Sequence, residues 1–347
     1  MTVDFTLPAA LEAHEPPEAR GQARDGVRLL VSRRAAGEVS HHAFRDLPGL
    51  LDPGDLLVVN TSATLPAAVR LDRISVHFST PVPGADDRLW LVELRRLAGK
   101  AGRPYAGGSP GEWIPMPGGA TLTLVGRHVD RARGVSDRLW QARLSTDVVP
   151  YLRRHGVPIR YGYVRRDWPV AAYQTAFAHD RSSGGAEMPS AARPFTPELV
   201  TRLVSHGVLI APISLHTGVA SPEAHEPPYA ERYSVPEPTA ALVGHVRARG
   251  RRVIAVGTTA VRALDTAVDA SGRVQASSGW TEHVVTPEGG VRAVDGLLTG
   301  LHEPKSSHLM MLTAIAGRDL LNATYEAALA ERYLWHEFGD LNLILPG

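Results

Sequence analysis

Val253-Ile254-Ala255-Val256-Gly257-Thr258-Thr259-Ala260-Val261-Arg262 is the stretch that decides the fold. Four apolar residues of strand length stop at a glycine, and two hydroxyl residues then open a helix. A run that is apolar on both faces belongs to a strand covered on both sides of its sheet. Leu56-Leu57-Val58-Val59, fed by the turn Asp52-Pro53-Gly54-Asp55, reads the same way, and so does Val208–Ile213, which leads into Leu215-His216-Thr217-Gly218. Helices are predicted between them. Thr196-Pro197 makes an N-cap with proline at the first helical position, and Gly207 makes the stop. A second helix spans Thr239 to Arg249, a third runs from the Gly257 turn through Ala267, and a long last one runs from Ser307 to Tyr333 with Leu309, Leu312, Ala316 and Leu320 on one face. Alternating helix and strand predicts a largely parallel sheet with function at the strands' carboxyl ends.

Upstream the pattern changes. After a short extended arm, Arg28–Val31 reads as a strand and Phe44–Leu51 as a compact connector. From 69 to 157 apolar and polar residues alternate, in Ile74-Ser75-Val76-His77-Phe78, in Leu89-Trp90-Leu91-Val92-Glu93-Leu94 and in Ala120-Thr121-Leu122-Thr123-Leu124-Val125. Loops rich in Gly and Pro separate them, which is the pattern of a small β-barrel. The predicted organisation is an α/β domain made of 1–68 and 158–347, with 69–157 inserted as a β domain. His-Glu-Pro-Pro occurs at 14–17 and at 225–228, too short a match to be a repeat.

The composition narrows the chemistry. Hydrophobic residues are 44% of 347, enough for a sizeable core, which excludes disorder as the main state. Lys+Arg 37 against Asp+Glu 36 excludes a polycationic coat for nucleic acid, though not a local basic patch. The absence of Cys removes disulfides, thiolate metal sites and cysteine nucleophiles together. With no apolar run of about 18 residues, no membrane span is expected. The start Met1-Thr2-Val3-Asp4-Phe5 lacks a signal-peptide layout, so a cytoplasmic protein is expected. A monomer is the favoured expectation.

Residues Gly257, Thr258 and Thr259 offer free N–H groups and hydroxyls to a carboxylate, a phosphate or a ribose, and Arg262 one turn on could clamp a carboxylate. An ordinary helix cap with a surface Arg fits those residues equally well. The stretch is not a dinucleotide fingerprint, because the second and third glycines are missing. His216 and His302 each follow an apolar segment at loop positions where catalytic groups lie, although single histidines are more often structural. No His-Glu-x-x-His pair exists, so no zinc-peptidase site is expected. In 151–168, Arg153, Arg154, Arg160, Arg165 and Arg166 alternate with Tyr151, Tyr161, Tyr163 and Trp168. That is either an RNA-contacting surface or a solvated connector. Arg247, Arg249, Arg251 and Arg252 read as a cluster at a helix C-terminus.

Several stretches in order resemble the S-adenosylmethionine:tRNA ribosyltransferase-isomerase family of queuosine biosynthesis. They are Arg24–Val31, Pro53–Asn60, Tyr173-Gln174-Thr175, Leu215–Gly218, Ala255–Arg262, Val294-Asp295, Leu298-Thr299 with His302 and Pro304, and Phe338-Gly339-Asp340. The resemblance spans nearly the whole chain. It implies a barrel-like α/β catalytic domain interrupted by a small β-barrel. It also implies transfer of the ribosyl part of S-adenosylmethionine, as co-substrate, to an aminomethyl-7-deazaguanine at the tRNA wobble position. Adenine and methionine leave, an epoxycyclopentane forms, and no metal is needed. The family's sites would fall here on His216, His302 and Asp340 as acid–base groups. Thr258, Thr259, Gly257 and Arg262 would hold methionine or ribose, with Asn60, Tyr173, Gln174 and Asp295 as further binding residues.

This chain departs from the family pattern in three places. The family's Asn-Asn-Thr-Arg-Val-Ile-Pro-Ala-Arg is here Asn60-Thr61-Ser62-Ala63-Thr64-Leu65-Pro66-Ala67-Ala68, without either arginine. Its Ala-Ala-Pro-Thr-Ala-Gly-Leu-His-Phe is here Glu187-Met188-Pro189-Ser190-Ala191-Ala192-Arg193-Pro194-Phe195, which loses a His and adds Glu187, a further acid–base candidate. The loop after His216 is shortened before Glu231. A diverged member is the expectation. The acceptor is tRNA, or a small molecule, or water cleaving S-adenosylmethionine; a non-catalytic RNA- or nucleoside-binding protein is the rival from another class.

Overall fold

Leu56–Asn60 has all five residues buried, with Leu56 and Val58 packed into one apolar cluster and Leu57 and Val59 into another. Each buried side chain of this size stabilises the fold by about 1.5–3 kcal/mol. The computed structural model describes residues 5–97, 103–105, 107–130, 134–219, 229–304 and 306–347; the second His-Glu-Pro-Pro and most of the loop after His216 lie outside the described residues. In chain order the strands are β1 (Arg28–Arg33), β2 (Glu38–Ala43), β3 (Leu56–Asn60), β4 (Ser62–Thr64), β5 (Ala68–Arg70), β6 (Ile74–Pro81), β7 (Leu89–Arg96), β8 (Arg103–Pro104), β9 (Trp113–Pro115), β10 (Thr121–Asp130), β11 (Gly134–Leu144), β12 (Asp180–Gly185), β13 (Leu209–His216), β14 (Glu231–Val235), β15 (Val253–Val256), β16 (Ser277–Thr281), β17 (Gly296–Gly300) and β18 (Leu341–Leu345). The α-helices are α1 (Leu47–Leu50), α2 (Val148–His155), α3 (Pro197–Ser205), α4 (Glu237–Ala248), α5 (Thr258–Thr266), α6 (Ser307–Ala316) and α7 (Arg318–Ala330).

The large sheet has the order β16-β14-β13-β3-β15-β17-β18-β1-β2. Its centre, β13-β3-β15-β17, is parallel throughout. Its flanks are not: β14 and β16 add as antiparallel strands on one side, and β18 runs antiparallel to β17 on the other. Half of the neighbouring pairs are therefore antiparallel, which corrects the largely parallel sheet expected from the sequence. The flanking strands arrive by short connections rather than crossover helices, and short connections reverse the chain.

Both faces of this sheet are covered. Phe44, Leu47, Leu199 and Leu203 pack on Ile254 and Val256, and Leu264, Leu309, Leu312 and Tyr325 join the cluster of Val253 and Ala255. Thr196 caps α3, its hydroxyl accepting from Leu199 N–H at 3.2 Å. The long last helix is two helices. Gly317, at φ +79, ends α6 and starts α7. That left-handed conformation is open to glycine and costs other residues about 1–2 kcal/mol.

The second sheet, β5-β6-β7-β11-β10-β9 with β8 beside β7, is antiparallel and draws all its strands from Ala68–Leu144. Phe78, Trp90, Val92, Leu122 and Trp140 fill its core, and Tyr151 and Leu152 of α2 join that cluster. Among the described residues no strand of this sheet pairs with a strand of the large one, and neither path closes on itself. A two-stranded parallel pair, β4 with β12, lies beside the large sheet's centre.

Candidate functional site

The four parallel strands bring their carboxyl ends to one edge. Asn60 ends β3, His216 ends β13, Gly257 follows β15, and Thr299 and His302 stand at and just past the end of β17. Asn60 is fully buried and binds this edge together. Its Nδ2 donates to Leu215 O at 2.9 Å and Thr259 Oγ1 at 3.1 Å, while its Oδ1 accepts from Leu215 N–H at 3.1 Å and Ser62 N–H at 3.0 Å. Beside it, His216 Nδ1 and Ser62 Oγ share a hydrogen bond of 2.8 Å. Gly257 takes φ +90 at the start of α5. The first N–H groups of any helix lack intrahelical partners, so α5 points donors at the same edge.

Arg262 is not the free surface clamp expected from the sequence. It is buried, pairs with the Glu231 carboxylate of β14, and donates from Nε to His283 O at 3.0 Å. Glu231 in turn accepts from Gly218 N–H at 2.9 Å, in the loop after His216. One nitrogen of Arg262, Nη2, is buried and makes no hydrogen bond among the described residues.

At the end of β17, His302 Nε2 and Thr299 Oγ1 share a hydrogen bond of 2.8 Å. The His302 backbone N–H donates to Tyr325 Oη at 3.1 Å, and its carbonyl accepts from Trp335 Nε1 at 3.0 Å. Its ring lies parallel to that of His308, centroids 4.4 Å apart and planes 4° apart. Burial, then His308 and His336, hold the His302 imidazole well below its usual range. Burial and the Arg262 charge push His308 down to about 4. Both rings are neutral near pH 7.

A second wall comes from the segment after α2 and the loop before β18. Tyr161 Oη donates to the Glu187 carboxylate and Tyr163 Oη to that of Glu337. The two tyrosine rings stack at 5.7 Å, and Tyr163 stacks on His336 at 3.7 Å. His336 holds φ +74, a left-handed conformation costly for a residue with a Cβ. Its Nδ1 lies 3.8 Å from Glu303 and its Nε2 3.7 Å from Glu12. Burial raises Glu337 to about 7 against the bond from Tyr163. Thr217 Oγ1 donates to Glu187 O at 2.9 Å, which ties this wall to the strand edge.

Sequence reasoning named Asn60, His216, Gly257, Thr258, Thr259, Arg262 and His302, and these lie at or beside the edge; Glu187 is tied to it through Thr217. Four other candidates serve the framework. Asp295 is at the opposite end of β15, its carboxylate accepting from Val253 N–H at 2.8 Å. Asp340 is buried and accepts from Arg28 N–H at 2.8 Å and Leu334 N–H at 2.7 Å, so its carboxylate pins β1 to the loop before β18. Gln174 brackets the backbone of Thr64, accepting at 3.0 Å and donating at 2.7 Å, and Tyr173 packs its ring on Phe338 at 5.2 Å. Each was picked by its place in a motif, which does not reveal which end of a strand a loop occupies. The reading also missed His308, His336, Glu337 and Tyr163. A histidine at the second residue of the helix that follows the β17 loop was the available signal for His308.

The basic stretch of 151–168 divides. Arg153, Arg154, Arg165 and Arg166 are exposed, whereas Tyr151 is buried and Tyr163 belongs to the acidic wall. Arg160 lies 3.5 Å from Asp167, which Arg70 holds bidentately at 2.6 and 2.7 Å. A cleft lined by Val157, Arg160, Asp167, Trp168 and Tyr173 opens beside it. At the other end of the sheet Arg252 is bound to Asp55 and Asp52, so the cluster at 247–252 is in part a structural anchor.

The description "queuosine biosynthesis protein" matches the chain over residues 1–344. The chain belongs to this family. S-adenosylmethionine:tRNA ribosyltransferase-isomerase of Symbiobacterium thermophilum is 36% identical to it, covering 99% of this chain and 98% of that protein. The enzyme of the same name from Thermus thermophilus is 35% identical with the same coverage. Among solved structures, S-adenosylmethionine tRNA ribosyltransferase of Thermotoga maritima is similar at a TM-score of 0.55 and 28% identity, over 99% of both chains. Within the queuosine biosynthesis family this chain carries Ala63 and Ala68, both buried, where the family pattern quoted above has arginines.

Proposed function

We infer that the protein is an S-adenosylmethionine:tRNA ribosyltransferase-isomerase. It transfers the ribosyl moiety of S-adenosylmethionine to a 7-deazaguanine-type acceptor with release of adenine and methionine. The full-length match to relatives of that name carries the reading. The convergence of Asn60, His216, Thr258, Thr259 and His302 at one strand edge supports it. In this proposal the donors of α5 hold the ribose or the methionine carboxylate. A base takes a proton from the carbon next to the sulfonium, adenine departs, the acceptor amine attacks, and ring closure displaces methionine. His216, His302 and Glu187 are the acid–base candidates. We place the catalytic domain in 1–68 and 158–347, barrel-like as in the family, with 69–157 as an inserted β-barrel domain. The confinement of the second sheet's strands to Ala68–Leu144 supports that division.

The missing arginines and the acidic wall of Glu187, Glu303 and Glu337 favour a second reading, a small amine as acceptor instead of a polyanion. One experiment separates the two. Labelled S-adenosylmethionine is incubated with and without a tRNA carrying aminomethyl-7-deazaguanine, and free adenine is measured. Adenine only with tRNA supports the first reading, and adenine without tRNA the second. No adenine under either condition overturns both.

A further inference from the structure

His308 stands apart from every other titratable group at the strand edge. It is exposed, yet protein surrounds it closely enough to lower its basicity, so its ring faces a recess and not open surface. Among the described residues neither of its ring nitrogens makes a hydrogen bond, whereas His302 behind it is tied to Thr299 and His216 to Ser62. The stack on His302 at 4.4 Å fixes the plane of the His308 ring and leaves its nitrogens to the recess. The groups acting on this pair are Arg262 of α5, whose field reaches His308, and His336 of the loop before β18, whose field reaches His302.

We propose that His308 is the catalytic base of this site and that His302 is its positioning residue. This rests on the reading of the protein as an enzyme that uses S-adenosylmethionine. In the step assigned to it, a free nitrogen of the neutral His308 ring takes one proton from the carbon bonded to the sulfonium. The C–H bond breaks, its electron pair stays on that carbon beside the positive sulfur, and His308 becomes imidazolium. A ring that already spends a nitrogen on Thr299 or Ser62 is a poorer acceptor than one with both nitrogens free. A general base in such a position contributes about 10²- to 10⁴-fold to a rate.

The step is reversible before adenine leaves, so it can be read without an acceptor. The full-length protein is incubated with S-adenosylmethionine in D₂O, and deuterium at the carbon next to sulfur is followed by mass spectrometry. Calorimetry measures S-adenosylmethionine binding in parallel. The wild type is expected to exchange. His308→Gln is expected to bind S-adenosylmethionine within threefold and to exchange at least 100-fold more slowly, and added imidazole is expected to restore exchange to His308→Gly. Exchange by His308→Gln within threefold of wild type overturns the role of His308 and leaves the proposed function intact. So does wild type that binds S-adenosylmethionine and exchanges nothing. Wild type that does not bind S-adenosylmethionine overturns the proposed function itself. If His308→Gln precipitates, the His308→Gly arm decides: exchange without imidazole refutes the proposal, and imidazole-dependent exchange supports it.

Discussion

In the second sheet, Glu93 is 1% exposed and lies 2.8 Å from Arg95 and 3.4 Å from Arg138. His77 faces it across the β6–β7 pairing, its imidazole pushed down to about 3 by burial and by Arg95 and Arg70. At the edge of the large sheet, by contrast, Arg262 keeps one nitrogen unbonded, His336 Nε2 has no hydrogen bond, and His308 has none on either nitrogen. Both clusters are charged or titratable, and both sit among apolar residues. They differ in closure: the first has its charges answered within the fold, and the second leaves polar atoms over. Leaving a buried polar atom unanswered costs about 1–3 kcal/mol, so a fold that retains several at one place holds them for a partner outside the chain.

The largest expected effect is in the closed cluster. Glu93→Ala leaves Arg95 and Arg138 without their carboxylate and is expected to destabilise the protein by about 3–5 kcal/mol. Urea unfolding measures this, and affinity for S-adenosylmethionine in the surviving folded fraction should not change. A stability loss below about 1 kcal/mol would mean that the second sheet does not depend on this cluster.

The same contrast explains what the sequence disclosed. Leu56–Val59 and Val253–Val256 are apolar without alternation, which allows only a strand covered on both faces, and both are. The alternation around Phe78 and Trp90 marked the second sheet for the same reason. The flanks β14, β16 and β18 were not readable as antiparallel, because strand direction depends on the route of the connection and local pattern carries no record of it. Asn60 and the Gly257 turn were legible because their chemistry is local to a strand end. The acidic wall was not, since Glu12, Tyr163, Glu187, Glu303 and Glu337 come from five separate segments that only folding brings together. Arg262 was found in sequence but misjudged, because its partner Glu231 is 31 residues away.

Arg262 sharpens the comparison, because it belongs to a closed pair and to an open edge at once. Arg262→Met alone strands Glu231 and is expected to cost about 3–5 kcal/mol of stability. Arg262→Met with Glu231→Leu removes both charges and is expected to recover most of it. If the unbonded nitrogen serves the ligand, the double variant still binds S-adenosylmethionine more weakly by about 1.5–3 kcal/mol, the worth of a charge-assisted hydrogen bond. Calorimetry showing wild-type affinity in the stable double variant would make Arg262 purely structural.

The smallest effect concerns pH, and its sign separates Glu337 from the histidines. Glu337 is raised to about 7 by burial, above the ordinary glutamate value of 4.5. The folded state therefore holds a proton that the unfolded state has released between those values. Its contribution to stability is full below pH 4.5 and is lost as pH rises through 7. His308 and His336 are lowered to about 4 from 6.5, so the unfolded state takes the extra proton there. Their contribution is full above pH 6.5 and is lost as pH falls toward 4. The wild type is expected to be most stable between these limbs. In Glu337→Gln the decline between pH 5 and 7.5 should flatten by roughly 1–2 kcal/mol, while the acid limb stays. Chemical denaturation at half-unit pH intervals reads both. An unchanged alkaline limb in Glu337→Gln would show that Tyr163 keeps Glu337 ionised, and the acidic wall would then carry its full negative charge at neutral pH.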